Sequence, residues 1–162
     1  MKTLYVVRHA KSSWDNPLLD DFSRPLNDRG KRDVPNMAKR LKEKHLVLDL
    51  ILTSTAVRTL TTAHGIAKVL GYDENRIKGL ADLYHASPEK ILEILNQVND
   101  HCDVVMLVGH NPGLTDFVNA LSPMAIDNVP TCGIAAFQLD IDTWKEMEMK
   151  EETLLFYDYP KK

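Results

Sequence analysis

The run Val104-Val105-Met106-Leu107-Val108 constrains the fold more than any other stretch of the chain. Five consecutive apolar residues between Asp103 and Gly109 are too few for a helix and too uniformly apolar for a half-exposed strand. They predict a central strand covered on both faces, which is the habit of parallel sheets flanked by helices. The rest of the chain supplies matching parts. Leu4-Tyr5-Val6-Val7 reads as a first buried strand and Leu48-Asp49-Leu50-Ile51-Leu52 as a second, ending at Thr53-Ser54. Between them, Asn27 is placed to cap a helix running to about Lys44, with Val34, Met37, Ala38, Leu41 and His45 at helical spacing. Pro35 lies inside that pattern and is expected to kink the helix or delay its regular part.

A second helix carries Ala56, Leu60, Ala63, Ala67 and Leu70 on one stripe and stops at Gly71. A weaker strand is expected around Arg76–Leu80. Ser87 then caps a helix that has Pro88 at its first position and Ile91, Leu92, Leu95 and Val98 on its inner face. After the central strand, Leu114, Phe117, Val118 and Leu121 mark a fourth helix. Gly133–Leu139 and Thr153–Tyr159 read as later strands, an antiparallel pair at a sheet edge. This alternation argues for βαβ crossovers, a parallel sheet and one α/β domain over residues 1–162.

Charge and composition narrow the function. A net charge of −3 gives no global attraction to nucleic acid or acidic membranes. No apolar run approaches a membrane span, and the N-terminal run ends at Arg8, too short for the core of a signal peptide. Cys102 and Cys132 stand alone, without metal-binding or redox spacing, which suits a reducing compartment. The expectation is a cytoplasmic protein, acting as a monomer.

Three strand ends carry chemically informative groups. The first strand ends at Arg8-His9, the second leads through Ser54 to Arg58, and the central strand ends at Gly109-His110. In a parallel sheet these ends share one edge, where ligands of open α/β folds bind. Two arginines and two histidines in one crevice suit a dianion, because guanidinium offers charge-assisted forks to phosphate oxygens. Positive surroundings disfavour imidazolium, so His9 would stay neutral and nucleophilic, with Arg8, Arg58 and His110 stabilising the charge of a phosphoryl transition state. Metal is the competing use of two histidines. No third ligand stands at a usual spacing, and two guanidiniums oppose a divalent cation, so neither metal nor other cofactor is expected.

These residues carry a resemblance. Arg8-His9-Ala10-Lys11-Ser12-Ser13-Trp14, Thr53-Ser54-Thr55-Ala56-Val57-Arg58-Thr59-Leu60-Thr61-Thr62-Ala63 and Val108-Gly109-His110-Asn111-Pro112-Gly113 are similar, in order, to the three blocks of the histidine phosphatase superfamily, the phosphoglycerate mutase-like proteins. The chain most resembles the short SixA-type phosphohistidine phosphatases. The resemblance implies a three-layer α/β/α sandwich with a mostly parallel central sheet and an antiparallel edge strand. It also implies His9 as the phosphorylated nucleophile, phosphoryl binding by Arg8, Arg58 and His110, and no metal. The implied substrate is a phosphorylated protein carrying phosphohistidine. The alternatives are a small phosphorylated metabolite or phosphoanhydride as substrate, or a phosphate-binding module with weak catalysis.

Two positions depart from the family pattern. Ala10 replaces a usual glycine, and Asp15 stands where mutase-like members often have an asparagine that contacts phosphate. The family's general acid lies between the second and third blocks, and Asp82 is the candidate there, with Asp20 and Asp21 on the first loop as weaker ones. His85 is a candidate for the pocket wall, and Trp14 for its cover. His45, His64 and His101 are read as surface or packing residues.

Overall fold

Alternate residues of β1 (Lys2–Arg8) serve two different cores, and this division organises the molecule. Leu4 and Val6 join one apolar cluster, and Tyr5 and Val7 the other. The computed structural model describes residues 1–162. After β1 the chain forms α1 (Asp28–Glu43), β2 (Leu50–Ser54), α2 (Val57–Leu70), β3 (Lys78–Leu80), α3 (Pro88–Asn96), β4 (Val104–Gly109), α4 (Gly113–Leu121), β5 (Ile134–Leu139) and β6 (Thr153–Asp158). The six strands make one sheet in the order β3-β2-β4-β1-β5-β6. The first four in that order run parallel, β5 runs against β1, and β6 runs against β5. Residues of α1 and α2 fill one face, and those of α3 and α4 the other. This is the three-layer sandwich, with β5 and β6 as the antiparallel pair at one edge.

The central run behaves as its composition requires. β4 lies between β2 and β1, and Val105, Met106, Leu107 and Val108 are fully buried. Caps hold the helices where the sequence placed them. The Asn27 side chain accepts from the Gly30 N–H at 2.9 Å, the Ser87 hydroxyl accepts from the Lys90 N–H at 3.2 Å, and Gly71 ends α2 at a φ of 73°. Two readings of α1 need correction. The helix runs from Asp28 through Pro35 as one element, because the buried face of Val34, Met37, Ala38 and Leu41 outweighs the missing backbone donor. His45 is not on that face; it follows the helix end, exposed, at a φ of 60°. No helix is long and apolar enough to cross a membrane.

Candidate active site

Parallel pairing delivers the two histidines side by side. Arg8 stands opposite Gly109 in the β1–β4 register, and the His9 N–H donates to the Gly109 carbonyl at 3.1 Å. His9 and His110 therefore leave neighbouring strands together, with ring centroids 5.4 Å apart. β2 ends beside them at Ser54, and the first turn of α2 brings Arg58. Arg8, His9, Arg58 and His110 line one cavity of about 220 Å³, joined by Lys11, Asp21, Arg24, His85 and Trp14 among others.

Hydrogen bonding assigns the proton on the His9 ring. His9 Nδ1 lies 2.7 Å from the Ala10 carbonyl, which only accepts, so Nδ1 carries the proton and Nε2 the lone pair. Burial, reinforced by the charges of Arg58, Arg8 and Arg24, brings the His9 pKa down to about 4 against the opposing pull of the Ala10 hydrogen bond. At neutral pH the ring is uncharged, with the Nε2 lone pair free. The Ser54 hydroxyl accepts from the Ala56 N–H at 3.3 Å and lies 2.7 Å from His110 Nε2, to which it can donate its one hydrogen. With the Ser54 hydrogen on that bond, the proton of His110 is on Nδ1. Burial first, and the charge of Arg58 second, bring its pKa down to about 3, so the ring is neutral at pH 7.

Four buried side-chain polar atoms in the molecule lack a partner, and three belong to this site: Arg8 Nε, Arg58 Nε and His110 Nδ1. Unpaired buried polar atoms are scarce in folded proteins and call for a specific explanation. A cluster of them beside two guanidiniums suits an oxyanion. Arg8 is itself fixed by donating through Nη1 to the Val129 carbonyl at 3.0 Å. Burial and the proximity of Arg58 lower its pKa, the cost of collecting cations in one cavity.

Sequence reading gave Asp21 only a minor place. Its Oδ2 accepts from Arg58 Nη2 at 2.9 Å and from the Tyr84 hydroxyl at 2.6 Å, and lies 3.1 Å from His85 Nε2. Its Oδ1 accepts from Arg24 Nη1 at 2.9 Å, and its carbonyl takes Arg58 Nη1 at 2.6 Å. Burial alone would raise its pKa, but the hydrogen bonds from Tyr84, Arg58, His85 and Arg24 hold it well below the usual carboxylate range. Asp21 thus ties the first loop to α2 and to the segment after β3. Arg24 was missed altogether. It is buried, donates to the Ser13 carbonyl at 3.0 Å and to the Ser12 hydroxyl, and stacks on Trp14 at 3.2 Å from the ring centroid.

Asp82 is not brought to this cavity. It sits in the short 3-10 turn Ala81–Leu83 and lines a separate cleft of about 560 Å³ between β3 and α3, with Leu50, Leu52, Ile94 and Val98. The turn directs Tyr84 and His85, rather than Asp82, toward the phosphoryl site. Asp15 lines a third, polar hollow near the start of α1, with Arg29 and Lys31, and not the cavity of Arg8 and Arg58. No group of three His, Cys, Asp or Glu side chains is arranged to hold a metal ion.

Fold and cavity together define an α/β protein with an anion-binding cavity built around a histidine pair. Residues 4–104 match the histidine phosphatase superfamily (branch 1). The chain belongs to that superfamily. An uncharacterized chloroplastic protein of Arabidopsis thaliana is 30% identical over 153 residues, covering 90% of this chain and 70% of that protein. Among solved structures, the SixA protein of Agrobacterium tumefaciens, to which phosphohistidine phosphatase activity is provisionally ascribed, has a TM-score of 0.83 at 28% identity and covers 98% of both chains. The protein histidine phosphatase SixA in complex with tungstate has a TM-score of 0.82 at 21% identity, covering 98% of this chain and 97% of that one.

Proposed function

We propose that this phosphatase removes the phosphoryl group from phosphohistidine on a protein, by way of a phosphohistidine intermediate on His9. The observation that carries the reading is the neutral His9 ring, with its lone pair on Nε2, set beside Arg8, Arg58 and the unpartnered Nδ1 of His110 in one small cavity. Nε2 bonds to phosphorus as the substrate's P–N bond breaks, and water then releases phosphate and free His9. Arg8, Arg58 and His110 hold the equatorial oxygens through both transfers, and metal is not required.

Two features favour a protein substrate. The cavity is small and polar, with little apolar wall to recognise a metabolite beyond its phosphoryl group. The first loop beside it carries Trp14 and Leu18, 72% and 92% exposed, as a surface for a macromolecular partner. The SixA relatives bear names of the same activity. The two free thiols, Cys102 and Cys132, are consistent with a cytoplasmic setting.

The test is a substrate panel in the presence of chelator, reported as kcat/KM. A phosphohistidine protein is expected to exceed sugar phosphates and phosphoanhydrides by at least about tenfold, a difference of about 1.4 kcal/mol in transition-state stabilisation. Preference for a small phosphate ester would contradict the substrate assignment, and loss of all turnover in chelator would contradict the metal-free chemistry.

A further inference from the structure

We propose that His85 is the general acid and base of this site, held for that task by Asp21. The inference rests on the phosphoryl transfer to His9 proposed above. In-line transfer puts the leaving atom opposite the nucleophile across phosphorus. His9 is 7% exposed, so a phosphoryl group reaches it through the cavity mouth and the leaving atom lies toward that mouth. The His85 side chain, 47% exposed, lines that mouth, with its ring centroid 4.9 Å from that of His110.

Three separate features hold His85 there. Its Nε2 is 3.1 Å from Asp21 Oδ2, a contact that orients the ring and leaves the other ring nitrogen for proton transfer. Its backbone has a φ of 51°, a conformation that a non-glycine residue adopts at a cost and that surrounding structure must enforce. The enforcement is visible one residue on. A Cβ built at Gly113 would fall on the Ala86 carbonyl oxygen, so only glycine at the start of α4 lets the Tyr84–Ala86 segment lie this close. No carboxylic acid competes, because Asp82 lines another cleft and Asp21 is committed as an acceptor to Arg58, Arg24 and Tyr84.

In the first transfer, Nε2 of His9 bonds to phosphorus, the bond from phosphorus to the leaving oxygen or nitrogen breaks, and imidazolium His85 gives that atom its proton. In the second, water bonds to phosphorus, the bond to His9 breaks, and neutral His85 takes the water's proton. His85 ends as it began.

The experiment compares wild type with His85→Gln on phenyl phosphate and 2,4-dinitrophenyl phosphate, using kcat/KM because it reports the first transfer. A dinitrophenolate leaves without a proton, whereas phenoxide needs one. The variant is expected to lose about 10²-fold or more on phenyl phosphate and less than about 3-fold on dinitrophenyl phosphate. Equal losses on both, or none on either, would overturn the proposal while leaving the His9 chemistry standing. Absence of dinitrophenyl phosphate turnover by wild type would instead overturn the function on which it rests.

Discussion

His9 and His110 enter the folded protein as neutral rings because each is buried among guanidiniums, and this has a consequence for stability as well as chemistry. An unfolded histidine takes up its proton near pH 6.5, whereas these two resist it down to about 4 and about 3. Between those values the unfolded chain binds more protons than the folded one, so stability falls as pH falls below about 6.5 and the loss levels off below the folded pKa values. At pH 4.5 each ring accounts for roughly 2–3 kcal/mol of that loss. Denaturant unfolding of wild type and His110→Gln from pH 7.5 to 4.5 checks this. The variant is expected to show the shallower decline, and parallel curves would contradict the neutral buried ring. The depressed Asp21 carboxyl titrates lower still and does not intrude on this window. Burial being the larger cause also refines the expectation from sequence, which rested on the arginines alone.

At the scale of elements, the site depends on close approaches that glycine permits. Gly113→Ala would drive a methyl group into the Ala86 carbonyl and push the Tyr84–Ala86 segment outward, at a cost of about 1–3 kcal/mol. Gly71, at a φ of 73° with open space around it, offers a control, since alanine there costs about 1 kcal/mol of local strain far from the cavity. Thermal unfolding and kcat/KM separate the two. Both variants are expected to melt lower, and only Gly113→Ala to lose activity; equal activity in the two would contradict the positioning role of that contact. The strands and helix caps were legible because their signals are local: an apolar run, a capping Asn27 or Ser87, a terminating Gly71. The first loop and the turn after β3 were not. Asp82 and Asp21 are both aspartates in polar loops, and nothing local distinguishes them. Their difference arises from tertiary closure, which brings Asp21 to Arg58 and Tyr84 across 37 and 63 residues of chain.

For the whole molecule, the sheet order explains why three distant blocks make one site. β1, β4 and β2 are neighbours, so Arg8-His9, His110 and Ser54 with Arg58 meet at their carboxyl ends. That convergence was readable from strand ends alone, whereas Arg24 was hidden because its role comes through Ser12, Ser13, Trp14 and Asp21 on the folded loop. The loop's outer face bears on substrate choice. Leu18→Ser, at a side chain that packs little within the protein, is expected to slow a phosphohistidine protein several-fold and leave nitrophenyl phosphate turnover unchanged; equal effects on both would remove the docking role. The central claim, a phosphoryl group carried on His9, has the most direct test. Wild type and His9→Ala are mixed with radiolabelled phosphohistidine protein, quenched in base and examined for transferred label. The account predicts base-stable, acid-labile label on wild type at His9 and none on His9→Ala, with turnover abolished. Undiminished turnover by His9→Ala, or label at another residue, would contradict it.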